Sequence, residues 1–469
     1  MTTEQRPRIE PPVHFSGEVI EDYITRGLAN LWVHTQQYTE LAKPDGFKVF
    51  VKGEGVWLWD MKGRRFLDAM SGLWVVNAGH GRTELAEVAA AQMRELDYIN
   101  TFAYASMPAV DLATKLAELL PPSLNKLYFV NSGSEAVETA LRMAKHYQYN
   151  IGEQKRYKVI ARRGSYHGMT AGALSVNSAQ YTNRAPYEPL LPGVIFVENV
   201  NCYRCPFEKT YPECDAYCAR AIERVIQFEK AETIAAFIGE PISSANGSYV
   251  PPPEYWRTIR ALCDKYGILL IADEVINGFG RTGRWFAVEH FGFEPDLITL
   301  AKGLSSGYLP IAAVAASDKV VDAFVGDKSK TFSGGITFGS HPVSCAVALA
   351  NIAIIEREGL VENAARVGGY LHDRLRGLME THPIVGDVRG KGLLLAIEIV
   401  RDRVTKAQFT DAEGMADVLS NALMRRGLLC RAGNIVNIAP PLVLSEAEAD
   451  ELVQIVDAAL GETERHFGI

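Results

Sequence analysis

Three short stretches carry residues whose types and spacing suit them to joint chemistry. In "GFEPDLITLAKGLSSGYLP" (292–310) an apolar strand-like run, Leu297 to Ala301, meets one lysine, Lys302, and then a turn of Gly and Ser. "GILLIADEV" (267–275) ends a second apolar run in the adjacent acids Asp273 and Glu274. "NSGSEAVETALRMAKHY" (131–147) follows the strand-like "KLYFV" and opens a helical pattern. Each has a plain reading: a lysine snorkelling to the surface, an acid that caps a helix or pairs with a base, and a Ser132–Glu135 capping box. Together they point to one kind of site. A desolvated lysine with a lowered pKa forms a Schiff base with a carbonyl cofactor. A carboxylate holds a pyridine nitrogen protonated. Gly133 lets the backbone approach an anion where exposed amides open a helix. Lys302 and Asp273 end successive strands, one crossover unit apart, so both can reach one pocket, and the set describes a pyridoxal phosphate site. "GSYHGMT" (164–170) adds Tyr166 and His167 after the strand-like "YKVIA". A ring there can lie flat on a planar cofactor; packing against the core is the alternative.

Such residues converge only if a scaffold brings them to one edge. Short β-rich runs alternate with helical patterns from about residue 126: "KLYFV", "YKVIA", "VIFVE", "IAAFIGE", "GILLIADEV", "DLITLA" and "PIAAVAAS". In 254–266, Tyr255, Ile259, Leu262, Cys263 and Tyr266 share one helical face. The alternation predicts an α/β fold with a mostly parallel sheet covered on both sides, and ligands at the strands' carboxyl ends. The flanks differ. Residues 47–70 predict a hairpin meander punctuated by glycines. After about 344 come an alanine-rich helical stretch, a strand-like "GLLLAIEIV" (392–400), another helix and a Pro-Pro break at 440–441. The predicted organisation is an N-terminal segment, 1–74, contributing to a small domain; a large cofactor-binding domain, 75–343; and a C-terminal small domain, 344–469.

Charge and hydropathy exclude several classes. With 48 basic and 56 acidic residues the net charge is −8, which provides no basic face for a nucleic-acid backbone. No stretch reaches the roughly 18 apolar residues of a membrane span. The opening "MTTEQRPRIEPPVHF" carries no apolar leader core, so a cytoplasmic location is expected.

The motifs "NSGSEA", "YHG", "GEP" (239–241), "ADEVINGFGRTG" (272–283), "AKGLSSGYLP" (301–310) and "TFGSHP" (337–342) stand in the order found in one enzyme family. From about 47 to 460 the sequence resembles the class III, or omega, aminotransferases, pyridoxal phosphate enzymes of the aspartate-aminotransferase-like fold (fold type I). The resemblance implies Lys302 as the Schiff-base lysine and Asp273 as partner of the pyridine nitrogen. It implies Val275 and Tyr166 on the two ring faces, His167 beside the cofactor, and Gly133 and Ser134 on its phosphate. Thr337 would reach that phosphate from the neighbouring subunit, which implies a homodimer or a dimer of dimers. Glu240 would face the cofactor's hydroxyl side. "MSGLWVVNAGHG" (70–81) and "LLCRAGNIVNIAPPLVL" (428–444) resemble the amine:pyruvate branch, in which Trp74 would line the substrate pocket and Arg431 would clamp a keto-acid carboxylate and swing aside for amines without one. Trp32, Phe102 and Ala245 are further pocket candidates.

Two patterns compete. Gly278, Gly280 and Gly283 spell a dinucleotide-binding G-x-G-x-x-G, but the loop holds an Arg-Thr pair and no acid-terminated strand follows about 20 residues on. Cys202, Cys205, Cys214 and Cys218 form two pairs in an insertion at about 200–220, open to structural zinc, disulfides or free thiols; no metal is assigned to the catalytic site. A non-catalytic scaffold using that insertion as a zinc module is the rival outside enzymes, and an aminomutase or decarboxylase of the same fold the rival within them. The expected activity is ping-pong transfer of an amino group from a primary amine or omega-amino acid to pyruvate, with taurine and beta-alanine as narrower alternatives.

Overall fold

The computed structural model describes residues 15–179 and 182–469. Residues 1–14, which hold nearly all of the stretch searched for a leader and the start of the predicted 1–74 segment, lie outside them. The strands, in chain order, are β1 (Phe50–Glu54), β2 (Trp57–Asp60), β3 (Arg65–Asp68), β4 (Leu124–Val130), β5 (Lys158–Arg162), β6 (Val194–Val197), β7 (Ile234–Gly239), β8 (Leu269–Asp273), β9 (Leu297–Leu300), β10 (Ala312–Ser317), β11 (Val385–Lys391), β12 (Leu394–Ile399), β13 (Leu428–Leu429) and β14 (Ile435–Ile438).

Seven of them build the central sheet in the order β4-β10-β9-β8-β7-β5-β6. Its inner strands are buried on both faces, which is why β7, β8 and β9 read as apolar runs broken only by Thr299 and the terminal Asp273. On one face Ile238, Ile271 and Val314 meet Val137 and Ala140 of the helix Gly133–Asn150. On the other, Phe237, Leu270 and Ile298 share a core with Trp256 and Ile259 of the helix Tyr255–Tyr266. The sheet departs from a fully parallel one at β10, which is antiparallel to both β4 and β9. A parallel return needs a crossover of a dozen or more residues, usually a helix. Residues 301–311 are too few and carry a turn instead, so the chain doubles back beside β9.

Both ends of the chain meet in a second unit. β13 pairs in parallel with β3, placing Leu428 opposite Leu67 and Leu429 opposite Asp68, so β1-β2-β3-β13 is a sheet built from the predicted meander and a C-terminal strand. A three-stranded sheet, β11-β12-β14, and the helices Leu360–Thr381 and Glu446–Phe467 complete this unit.

Local details refine the sequence reading. Ser132 Oγ accepts the Glu135 amide at 3.2 Å, but the Glu135 carboxylate reaches the Asn131 amide at 2.7 Å rather than closing the box on Ser132. The glycine pattern after β8 opens no helix: a Cβ on Gly280 would lie 2.9 Å from Leu442, and one on Gly283 2.9 Å from Ala365. These glycines admit the C-terminal unit, not a dinucleotide.

Candidate active site

The predicted residues leave the carboxyl ends of β4, β5, β7, β8 and β9, where an open sheet of this kind holds its ligands. Asp273 is the last residue of β8 and is 3% exposed. Its carboxylate is fixed from several directions. His167 Nδ1 lies 2.6 Å from Oδ2, while Oδ1 accepts the Thr299 hydroxyl at 2.9 Å and the Val275 amide at 3.1 Å. The His167 ring therefore lies behind Asp273. The His167 amide in turn donates to Asn177 Oδ1.

Lys302 follows β9 with φ +48, a left-handed conformation that costs a residue with a long side chain and marks functional turns when the surroundings enforce it. Burial pushes its amine down to about 8, against the pull of Asp273 and Glu240 upward and with a smaller push downward from Arg431. Lys302 Nζ lies 5.8 Å from the centre of the Trp74 ring, and the Arg431 guanidinium carbon lies 5.8 Å from the same ring. Trp74 is 3% exposed and also has positive φ, +57. Its segment is tied to the C-terminal unit: Ser71 Oγ donates to the Ala439 carbonyl at 2.7 Å, and Ala69 N to the Leu429 carbonyl at 2.9 Å. Arg431 is held by its backbone, whose carbonyl accepts the Asn437 amide of β14 at 2.9 Å.

Glu240, just after β7, accepts the Ser244 amide at 2.9 Å on Oε2, with the Ser244 hydroxyl on the same atom, and the Tyr166 amide at 3.4 Å on Oε1. Tyr166 is close enough to feel the charges of both Arg431 and Asp273, although burial is the main reason its phenol is pushed up. Ala245 is buried in the same loop, closed by the Ser243–Tyr249 bridge. At the helix start, Gly133 faces Val275: a Cβ there would come within 2.9 Å of Val275 Cγ1. The Ser134 hydroxyl accepts the Met169 amide at 3.1 Å and keeps its own proton to donate. Lys302, Asp273, Glu240, Tyr166, His167, Trp74 and Arg431 are thus brought together, with Gly133, Ser134 and Val275 alongside. Trp32, Phe102 and Thr337 stand on the surface of the chain instead, the first two 80% and 69% exposed. Thr337 is fixed there by its carbonyl, which accepts the Tyr98 hydroxyl at 2.6 Å.

The family model for "Aminotransferase class-III" matches residues 41–460. The chain belongs to the class-III aminotransferases. The putrescine–pyruvate aminotransferase of Pseudomonas aeruginosa is 40% identical, over 89% of this chain and 91% of that protein. Among solved structures, the (S)-enantioselective omega-transaminase from Thermomicrobium roseum superposes with a TM-score of 0.90 at 42% identity, covering 94% of this chain and 98% of that one. An amine transaminase from an uncultivated Pseudomonas species, seen in its pyridoxal phosphate-bound form, does so with a TM-score of 0.87 at 37% identity, covering 92% and 98%.

The cofactor of this aminotransferase is pyridoxal 5'-phosphate, and the donor set fits it. Among the described residues the Gly133 and Ser134 amides, at positions with no intrahelical acceptor, have no other partner; the Ser134 hydroxyl adds a third donor. Gly133 has no Cβ to fill the space against Val275, and an amine, a carboxylate and a phenol converge beyond it. The cysteine insertion lies apart from this set. Cys202, Cys205, Cys214 and Cys218 are free thiols that line one small hollow with Phe207 and Tyr217, and burial pushes the Cys218 thiol up to about 12. Among the described residues no three ligating side chains are grouped to hold a metal ion. The sequence reading missed Thr299, Asn177 and Ser244. All three bear short polar side chains in apolar or loop surroundings, and only the β8–β9 register or the fold of a loop reveals their partners.

Proposed function

We propose that this aminotransferase transfers an amino group from a primary amine or omega-amino acid to pyruvate, as a homodimer or dimer of dimers in the cytoplasm, where its seven cysteines stay reduced. The observation that carries the reading is the Lys302–Trp74–Arg431 cluster, which sets a poised amine and a carboxylate-binding guanidinium on one buried ring. The putrescine-using relative supports an amine donor without a carboxylate, and its named acceptor is pyruvate.

When bound, pyridoxal phosphate supplies an aldehyde for the incoming amine and a protonated ring that withdraws electrons from the carbon next to that nitrogen. The chain's residues do the rest. Gly133 and Ser134 would hold the phosphate, with Thr337 of a second subunit completing the site. Val275 and Tyr166 would enclose the ring and exclude water from its faces. Asp273, held from behind by His167, would meet the ring nitrogen, and Glu240 would stand on the hydroxyl side. Lys302 would be the residue to hold the aldehyde, and its Nζ would serve as the group that takes up and gives back a proton; an amine pushed down to about 8 is matched to such two-way transfer near neutral pH. Trp74 and Ala245 wall the substrate space. Arg431 grips the carboxylate of pyruvate or alanine through a charge-assisted pair, and a donor without a carboxylate has no use for that grip.

Measuring the two half-reactions of Arg431→Ala tests this division. The loss of a charge-assisted contact worth about 1.5–3 kcal/mol should slow the pyruvate and alanine half by roughly tenfold to a hundredfold, and leave the half with a carboxylate-free amine within about threefold. An equal fall in both halves refutes the clamp. Failure of alanine to form from pyruvate and any amine refutes the function.

A further inference from the structure

Thr299 is the one polar side chain in the four-residue strand β9, and it is fully buried. A buried hydroxyl needs a partner, and this one finds it in the active site. In the parallel register of β8 and β9, Asp273 and Thr299 lie directly opposite, so their side chains leave the sheet on the same side. The Thr299 hydroxyl donates to Asp273 Oδ1 at 2.9 Å. The backbone reinforces the pairing, since the Glu274 amide donates to the Thr299 carbonyl at 3.0 Å. Thr299 also stands three residues before Lys302, so β9 and the turn that follows it carry both the amine and the hydroxyl that holds the Asp273 carboxylate.

The other holds on Asp273 define what this hydroxyl adds. His167 reaches Oδ2 from beyond β5, two strands to the far side of β8. The Val275 amide reaches Oδ1 from the turn after β8. Without the hydroxyl, the β9 side of the carboxylate has no donor among the described residues, and the group can turn about its Cβ–Cγ bond towards His167. With it, donors on opposite sides fix the plane of the carboxylate. Hydrogen bonds to a carboxylate are among the strongest a side chain makes, and orientation of a charged partner is where binding energy is most sensitive to small displacements.

We propose that Thr299 is a positioning residue: its hydroxyl holds the Asp273 carboxylate in the one orientation that meets the cofactor's ring nitrogen. This rests on the role given above to Asp273. The test compares binding of two ligands to the cofactor-free protein: pyridoxamine 5'-phosphate, and its 1-deaza analogue, in which the ring nitrogen is replaced by C–H. Thr299→Val keeps the shape and burial but removes the donor; Thr299→Ser restores it. In Thr299→Val the affinity for pyridoxamine phosphate should fall about tenfold, the analogue's affinity should change less than about twofold, and Thr299→Ser should recover at least half of the loss on a logarithmic scale. Equal weakening for both ligands, or no weakening for either, overturns the proposal, as does a serine variant that behaves like valine. Asp273→Asn separates this from the underlying assignment. If that substitution leaves the preference for pyridoxamine phosphate over its analogue intact, the role of Asp273 itself is wrong; if it abolishes the preference while Thr299→Val leaves it unchanged, only the role of Thr299 falls. Melting temperatures of the cofactor-free variants identify a purely structural threonine, for which stability drops and the ligand preference stays.

Discussion

Lys302 can capture the aldehyde of pyridoxal phosphate only as a neutral amine, so its position on the pH scale sets how fast cofactor-free enzyme is reloaded. A lysine in water titrates near 10.5, and burial brings this one to about 8. At pH 7 the neutral fraction is then about one in ten rather than roughly one in three thousand, a gain on the order of 300-fold. Covalent capture, followed by stopped-flow absorbance after mixing cofactor-free enzyme with excess pyridoxal phosphate, should accelerate almost tenfold between pH 6 and 7 and level off above about 8. Pyridoxamine phosphate, which has no aldehyde, should bind without this step and so controls for titration of the phosphate. The neighbours predict the signs of two further shifts. Asp273 and Glu240 favour the charged amine and Arg431 disfavours it, so Asp273→Asn should move the levelling point to lower pH and Arg431→Gln to higher. A capture rate that still climbs tenfold per pH unit at pH 9.5 would refute a desolvated Lys302.

Two other predictions concern buried charge. Glu274 is fully buried beside Asp273; its Oε1 accepts the Val288 amide at 2.8 Å, its Oε2 has no partner among the described residues, and burial pushes it up to about 8. An acid whose folded pKa lies above its unfolded value costs stability progressively as pH rises from about 4.5 to 8, up to about 3 kcal/mol at pH 7; Glu274→Gln should therefore raise the melting temperature at pH 7.5 while leaving turnover within about threefold, and a variant less stable at pH 7.5 than at pH 5 relative to wild type would contradict it. His382 sits between Glu464 at 2.8 Å and Asp457 at 2.9 Å on the C-terminal helix. Burial opposes its charge, but the two carboxylates outweigh it and its pKa is raised. Its contribution is complete below the unfolded value near 6.5 and is lost as pH rises through the folded value, so thermal melts of His382→Gln against wild type should show a deficit at pH 6 that shrinks by pH 9; a constant deficit would show that packing alone is at stake.

The chemistry was legible in the sequence wherever a residue type is costly to place. Lys302 and Asp273 at the ends of apolar runs, and Gly133 at a helix start, announce themselves because burial of such groups needs a reason. The strands of the central sheet were legible for the same cause, being apolar on both faces. What stayed hidden depends on contacts between distant segments. The reversal at β10 is the exception, since it follows from a 301–311 connection too short for a crossover, a length the sequence itself displays. Thr299 looks like any β-branched strand residue until register sets it opposite Asp273. Trp32, Phe102 and Thr337 sit on the surface of the chain, and an aromatic or hydroxyl residue type alone does not say whether a side chain enters its own chain's pocket.

The two halves of the chemistry belong to different parts of the chain. Asp273, Lys302, Glu240 and the Gly133 helix start all leave one rigid sheet, whereas Trp74 and Arg431 are carried by segments pinned to β13 and β14. Movement of the C-terminal unit would therefore displace Trp74 and Arg431 and leave Asp273, Lys302, Glu240 and Gly133 in place. Arg281 opposes such movement. Its guanidinium is fully buried and donates to Ser71 Oγ at 2.9 Å and Asn77 Oδ1 at 2.7 Å near Trp74, to the Leu393 carbonyl at 3.1 Å and to the Pro440 carbonyl. Among the described residues no carboxylate pairs with it directly, and burial pushes it down to about 9. A buried cation whose two terminal nitrogens donate to neutral acceptors from three separate segments, while its Nε has no partner among the described residues, loses much of its solvation compensation if any one of those segments moves. That makes Arg281 a stiff joint rather than a hinge between the segment that carries Trp74 and the C-terminal unit.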